Sequence, residues 1–95
     1  MIISDDYLKK YNMETLDEVK EMFGDTIETE INYYKTFLTQ SDYVVIKIVE
    51  YFINGKTIEE LRNKYSDLIS IRQKCRDKIN ELQTQLGNDN WIIHN

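Results

Sequence analysis

The stretch Tyr43-Val44-Val45-Ile46-Lys47-Ile48-Val49-Glu50-Tyr51-Phe52-Ile53 decides the fold. Its density of β-branched residues favours a buried strand, because branched side chains pack well on a pleated surface. Its polar residues argue the other way. Lys47, Glu50 and Asn54 recur at spacings of three and four, which on a helix forms one polar stripe. The run is also eleven residues long, between the cap pair Ser41-Asp42 and the stop Asn54-Gly55, and that is long for one strand. The stretch therefore reads as a helix, and as the most buried one of the fold.

Moving towards the N-terminus, Ile27, Ile31, Tyr34 and Leu38 mark one face of a further helix that runs to about Gln40, with Glu28 and Glu30 in its first turns where acids suit the helix dipole. Before it, Thr15-Leu16-Asp17-Glu18 has the form of a capping box, Leu16, Val19, Met22 and Phe23 follow at helical spacing, and Gly24 ends that helix. Ser4 can cap a brief helix through Tyr11. Towards the C-terminus, Thr57-Ile58-Glu59-Glu60 is a second capping box. It opens a heptad-like seam of Leu61, Tyr65, Leu68, Arg72, Cys75, Ile79, Leu82 and Leu86, with Arg72 its one charged break. Ser66-Asp67 could start a fresh helix within it, and Gly87-Asn88-Asp89-Asn90 is expected to end it. The apolar tail Trp91-Ile92-Ile93 needs a partner. One option is a short terminal β-ribbon with Ile2-Ile3. The expected architecture is all-α: one helical domain over residues 1–95, a compact bundle of four to five helices around Tyr43–Ile53, with a long C-terminal helical segment over 57–86.

The 95 residues suffice for one domain with a modest core. There is no apolar run long enough to span a membrane and no basic-then-apolar start, so neither a membrane span nor a signal peptide is expected. A single cysteine, Cys75, excludes an internal disulfide framework and fits a reducing, cytoplasmic compartment. Net charge is −5, and it is uneven: residues 1–55 carry 11 acids against 5 bases, and residues 56–95 carry 6 acids against 7 bases. Direct attraction to nucleic acid or to an anionic membrane is therefore not expected. An acidic half does suit competition for a basic nucleic-acid site on another protein.

Candidate chemistry is thin. Cys75 lies on the apolar seam and reads as a small core residue rather than a nucleophile. His94, the one histidine, stands beside the C-terminus. Glu14, Asp17, Glu18 and Glu21 share helix faces but lack the alternating oxygens and turn glycine of a calcium loop, so they read as a solvated face and no metal is expected. No glycine-rich phosphate loop or dinucleotide fingerprint is present, so no cofactor is expected. Arg62, Lys64, Arg72, Lys74, Arg76 and Lys78 are interleaved with Asp67, Asp77 and Glu81, a mixed-charge face rather than a phosphate-binding stripe. These residues point to binding rather than catalysis. The seven tyrosines and Trp91 are the residue types that interfaces favour. The expected partner-binding set is Asp17, Glu18, Glu21, Glu28, Glu30, Tyr33, Tyr34 and Trp91.

The 13 isoleucines, 9 lysines, 8 asparagines and 7 tyrosines, with no alanine, match AT-rich codons and suggest a low-GC bacterium or its phage. Residues 34–82 resemble short phage and prophage proteins of the tail-module and tail-fibre-assembly type. The resemblance rests on the segments Tyr34-Lys35-Thr36-Phe37-Leu38-Thr39-Gln40-Ser41-Asp42-Tyr43 and Tyr65-Ser66-Asp67-Leu68-Ile69-Ser70-Ile71-Arg72-Gln73-Lys74-Cys75-Arg76-Asp77-Lys78-Ile79-Asn80-Glu81-Leu82. It implies a virion assembly accessory that chaperones a tail or fibre protein. In size, acidity and lack of a catalytic set the chain is also similar to small anti-CRISPR and anti-defence proteins. That likeness implies a protein that occludes a host defence nuclease or its nucleic-acid channel. A structural homo-oligomer, dimerised through the 61–86 seam, is the third expectation.

Overall fold

A computed structural model describes residues 2–94, with the side-chain surroundings of residues 2–87. Four helices follow one another: α1 Asp5–Lys10, α2 Leu16–Phe23, α3 Ile27–Ile53 and α4 Ile58–His94. The fold is all-α, and no strand occurs among the described residues. None of these helices is long and apolar enough to cross a membrane.

Local chemistry sets the boundaries. Thr15 and Thr26 cap α2 and α3 by accepting from the backbone N–H of Glu18 and Thr29, at 3.2 and 3.1 Å. Thr57 forms a full capping box: its hydroxyl accepts from Glu60 N at 3.1 Å, and Glu60 Oε2 accepts from Thr57 N at 3.0 Å. Ser4 precedes α1 without its hydroxyl bonding, and only its carbonyl engages, accepting from Leu8 N at 3.1 Å. Between α3 and α4, Lys56 N donates to Tyr51 O at 2.9 Å and Gly55 N to Phe52 O at 3.2 Å, with Gly55 at φ +100°. This is a Schellman closure, and it needs a residue without a Cβ at its left-handed position. The four-residue turn folds α4 back along α3, and this antiparallel pair is the frame of the protein.

The core lies in the half of the hairpin away from that turn. Ile31, Tyr34, Phe37, Ser41 and Val44 of α3 meet Leu68, Arg72, Cys75, Ile79 and Leu82 of α4 at helical spacing. The stretch of the 61–86 seam from Leu68 to Leu82 thus packs on α3 of the same chain. The N-terminal segment seals one side with Ile3, Leu8 and Tyr11, the Tyr11 ring standing edge-on to Phe37 at 5.4 Å.

Four expectations need correction. Ser41-Asp42 does not start a helix, since α3 runs unbroken from Ile27 to Ile53. Ser41 turns its hydroxyl back to donate to Phe37 O at 2.8 Å, a bond that lets serine sit inside a helix. Tyr43–Ile53 is helical as expected, but it is not the most buried segment. Ile46, Val49, Phe52 and Ile53 are 60, 53, 53 and 76 % exposed, because beyond Tyr43, which meets the Tyr11 ring at 6.2 Å, this stretch has only α4 to pack on. Gly87 does not end α4, since a glycine inside a helix costs only about 1 kcal/mol and no proline follows. The terminal ribbon is absent, because the backbone of residues 91–93 is helical.

Candidate protein-binding surface

Residues 14–30 carry seven acids, Glu14, Asp17, Glu18, Glu21, Asp25, Glu28 and Glu30, against one base, Lys20. Their balance of −6 exceeds in magnitude the −5 of the whole chain. The structure gathers them on α2, the α2–α3 turn and the first turn of α3. The local reason is partly the helix dipole: Asp17 and Glu18 lie in the first turn of α2, and Glu28 and Glu30 in that of α3. Lys20 is consumed inside the group. Its ammonium pairs with Asp25 at 3.2 Å and Glu30 at 3.9 Å, and the Asp25 contact holds it above its ordinary pKa. Asp17, Glu18, Glu21 and Glu28 are exposed, whereas Glu30 is half-buried and accepts from the Tyr34 hydroxyl at 3.4 Å.

Apolar anchors stand within this acidic lobe. Helix α2 has no fully buried residue, and its last two, Met22 and Phe23, are 56 and 73 % exposed. Phe23 borders a cleft of about 470 Å³ between α2 and α3, which Met13, Val19, Asn32, Thr36 and Gln40 also line. An exposed aromatic beside a cleft and ringed by like charges has the make-up of an interface hot spot with a charged rim.

The structure divides the expected binding residues. Asp17, Glu18 and Glu21 lie on α2 and Glu28 and Glu30 in the first turn of α3, with Lys20 of α2 reaching across to Glu30. Tyr33 and Tyr34 do not join it, being 3 and 5 % exposed, with their rings packed at 5.4 Å against each other, so they belong to the core. Burial pushes the Tyr33 phenol up to about 12 and the Tyr34 phenol higher still. The side chain of Trp91 lies outside the described residues. The helical spacing of Leu16, Val19, Met22 and Phe23 does not reveal that the last two are exposed. The available signal was the length of α2: eight residues offer too little contact to bury four large apolar side chains.

Three of the basic residues of α4 are engaged within the chain. Arg72 is turned into the core, Arg76 donates to Gln73 Oε1 at 3.1 Å, and Lys78 pairs with Glu81 at 3.5 Å. Cys75 is fully buried, and burial raises its thiol to about 11, so it is inert at neutral pH.

No family model, curated protein or solved structure matches this chain.

Proposed function

We propose that the chain is a non-enzymatic phage or prophage protein that binds and blocks a host defence nuclease of the CRISPR-Cas type. In this reading the lobe of residues 14–30 occupies the partner's basic nucleic-acid channel. One observation carries it: seven acids against one base within residues 14–30, with Met22 and Phe23 exposed among them. The acids steer the encounter and compete with phosphate groups for lysine and arginine. The apolar pair supplies the contact that slows dissociation.

The test is binding and nuclease inhibition by wild-type protein and by the quadruple variant Asp17→Lys, Glu18→Lys, Glu21→Lys, Glu28→Lys. All four positions are exposed, and circular dichroism checks that the helices survive lysines in the first turns of α2 and α3. The wild type is expected to capture a nuclease from host lysate, to release it as salt rises, and to inhibit its cleavage of nucleic acid. The variant should do none of these. Retention of a tail or fibre protein through high salt, with no effect of the four substitutions, would overturn the reading in favour of virion assembly.

A further inference from the structure

The cleft between α2 and α3, about 470 Å³, is of the size that proteins use for ligands, roughly 300–1,000 Å³. Thr29, Asn32, Thr36 and Gln40 line it from α3 at spacings of three and four, with Tyr33 beside them. Val19 and Phe23 line it from α2, and Asn12, Met13 and Glu14 from the connection between α1 and α2. The threonine hydroxyls are engaged locally: Thr36 donates to Asn32 O at 2.8 Å, and Thr29 shares a hydrogen bond with the Thr26 hydroxyl at 3.0 Å. The side chains of Asn12, Glu14, Asn32 and Gln40 make no hydrogen bond among the described residues, and all four are exposed. Tyr33 is only 3 % exposed, and its hydroxyl has no partner within the protein. A buried hydroxyl without a partner, in a residue that lines a cavity, is an opening for a ligand group.

We propose that this cleft seats an arginine side chain of the protein partner, an inference that rests on reading the acid-rich segment 14–30 as the surface that meets that partner. Charge chooses a cation. Glu14 is the one charged residue of the lining, and Lys20, the one base of the segment, is already paired with Asp25 and Glu30. An anion is repelled here, and a neutral molecule covers the Glu14 carboxylate without compensating it. Geometry chooses a guanidinium over an ammonium. Its five N–H groups spread in one plane, so it can donate to the Glu14 carboxylate and to carboxamide oxygens of Asn12, Asn32 and Gln40 together. An ammonium donates three bonds from a single point. The ring of Phe23, 73 % exposed beside the cleft, supplies an aromatic face on which a guanidinium stacks.

The test titrates the full chain with acetyl-Gly-Arg-Gly-amide and follows the side-chain amide resonances of Asn12, Asn32 and Gln40 by nuclear magnetic resonance. Saturable shifts at these amides are expected with the arginine peptide. The lysine peptide should bind about tenfold more weakly, and the uncharged citrulline peptide should leave them unmoved. Glu14→Gln should weaken the arginine peptide about tenfold, the loss that goes with a hydrogen bond to a charged group. Phe23→Leu keeps the apolar contact but removes the aromatic face, and should weaken it about threefold. Glu21→Gln removes the same charge as Glu14→Gln from outside the lining, and should change little. These positions are exposed, and circular dichroism checks that the helices are kept. Unmoved cleft amides, equal shifts with citrulline, or equal losses in Glu14→Gln and Glu21→Gln overturn the inference. A chain that inhibits a nuclease without binding the peptide overturns the cleft alone. Peptide binding by a chain that captures no nuclease overturns the nuclease reading alone.

Discussion

Arg72 is the place where packing and polarity in the hairpin can be measured apart. It is only 8 % exposed, and its guanidinium reaches across from α4 to α3. There Nη1 donates to Leu38 O at 2.8 Å and to the Ser41 hydroxyl, and Nη2 donates to Asp42 Oδ1 at 2.7 Å. Truncation to alanine removes the buried Cγ and Cδ methylenes, about 0.8 kcal/mol each. It also removes the two inner hydrogen bonds, about 1 kcal/mol each net. The Asp42 carboxylate is 60 % exposed, so its ion pair is screened and adds at most about 0.5 kcal/mol. Arg72→Ala is therefore expected to cost about 4 kcal/mol, a large share of the roughly 5–15 kcal/mol that holds a domain folded. Arg72→Met keeps the length of the stem and leaves little unsatisfied, since Ser41 still donates to Phe37 O. It also removes a charge that is costly to bury, so its expected cost is about 1 kcal/mol. Asp42→Ala should cost less than about 1 kcal/mol and vanish in high salt. The assay is urea unfolding followed by circular dichroism at low and high salt. If methionine proves as damaging as alanine, the bonds rather than the stem hold the helices together. If Asp42→Ala matches Arg72→Ala, the screening argument fails.

Gly55→Ala meets no atom within 4 Å, so its cost is conformational: about 1 kcal/mol for a Cβ at φ +100°, read as a lower denaturation midpoint with an unchanged slope. The hydroxyls of Tyr11 and Tyr33 are buried without a hydrogen-bond partner in the protein, so Tyr11→Phe and Tyr33→Phe should be neutral or stabilise by about 1 kcal/mol; a clear loss would show that the hydroxyls are satisfied. Cys75 should resist alkylation at neutral pH until denaturant opens the hairpin, and fast labelling of the native protein would contradict its burial. Burial raises Cys75 from 9.0 to about 11, and Tyr11 and Tyr33 from 10.0 to about 12, so each favours its neutral form in the folded state. Their contribution is intact below pH 9 and is lost as pH climbs through these folded-state values, so unfolding midpoints should fall between pH 9 and 12, with Tyr11, Tyr33 and Tyr34 ionising late by absorbance.

Helix content and most boundaries were legible because they are local. Thr15, Thr26 and Thr57 each cap a helix by accepting from a backbone N–H three residues on, and the Asn54-Gly55 stop needs only the conformational freedom of glycine. Burial was not local. The apolar run Tyr43–Ile53 looks like a core helix from its composition, yet whether a helix face is covered depends on what packs across it, and here, beyond the Tyr11–Tyr43 contact, only α4 does. The same limit applied to the candidate site. The acids of α2 and early α3 could be named from the sequence, because exposed carboxylates at a helix start are the ordinary outcome. Tyr33 and Tyr34 could not be told from interface tyrosines, since residue type is the same in both settings and only the fold decides.

Two features that looked like separate irregularities turn out to explain each other. Ser41-Asp42 reads as a cap pair inside what proves to be an unbroken helix, and Arg72 is a charge on an otherwise apolar seam. Across the hairpin they meet, 30 and 31 residues apart, and each supplies what the other lacks. A buried guanidinium needs acceptors, and a serine and an aspartate inside a helix offer side-chain oxygens to the neighbouring helix. Apolar seams alone tolerate a slide of one turn, because leucine and isoleucine fit many positions along a partner. A fixed polar contact does not slide: moving α4 by one turn would bury the Arg72 charge among Phe37, Val44 and Ile48 without an acceptor. Arg72 thus sets the register of α4 on α3, and through that register it fixes which residues reach the turn end and which remain uncovered there.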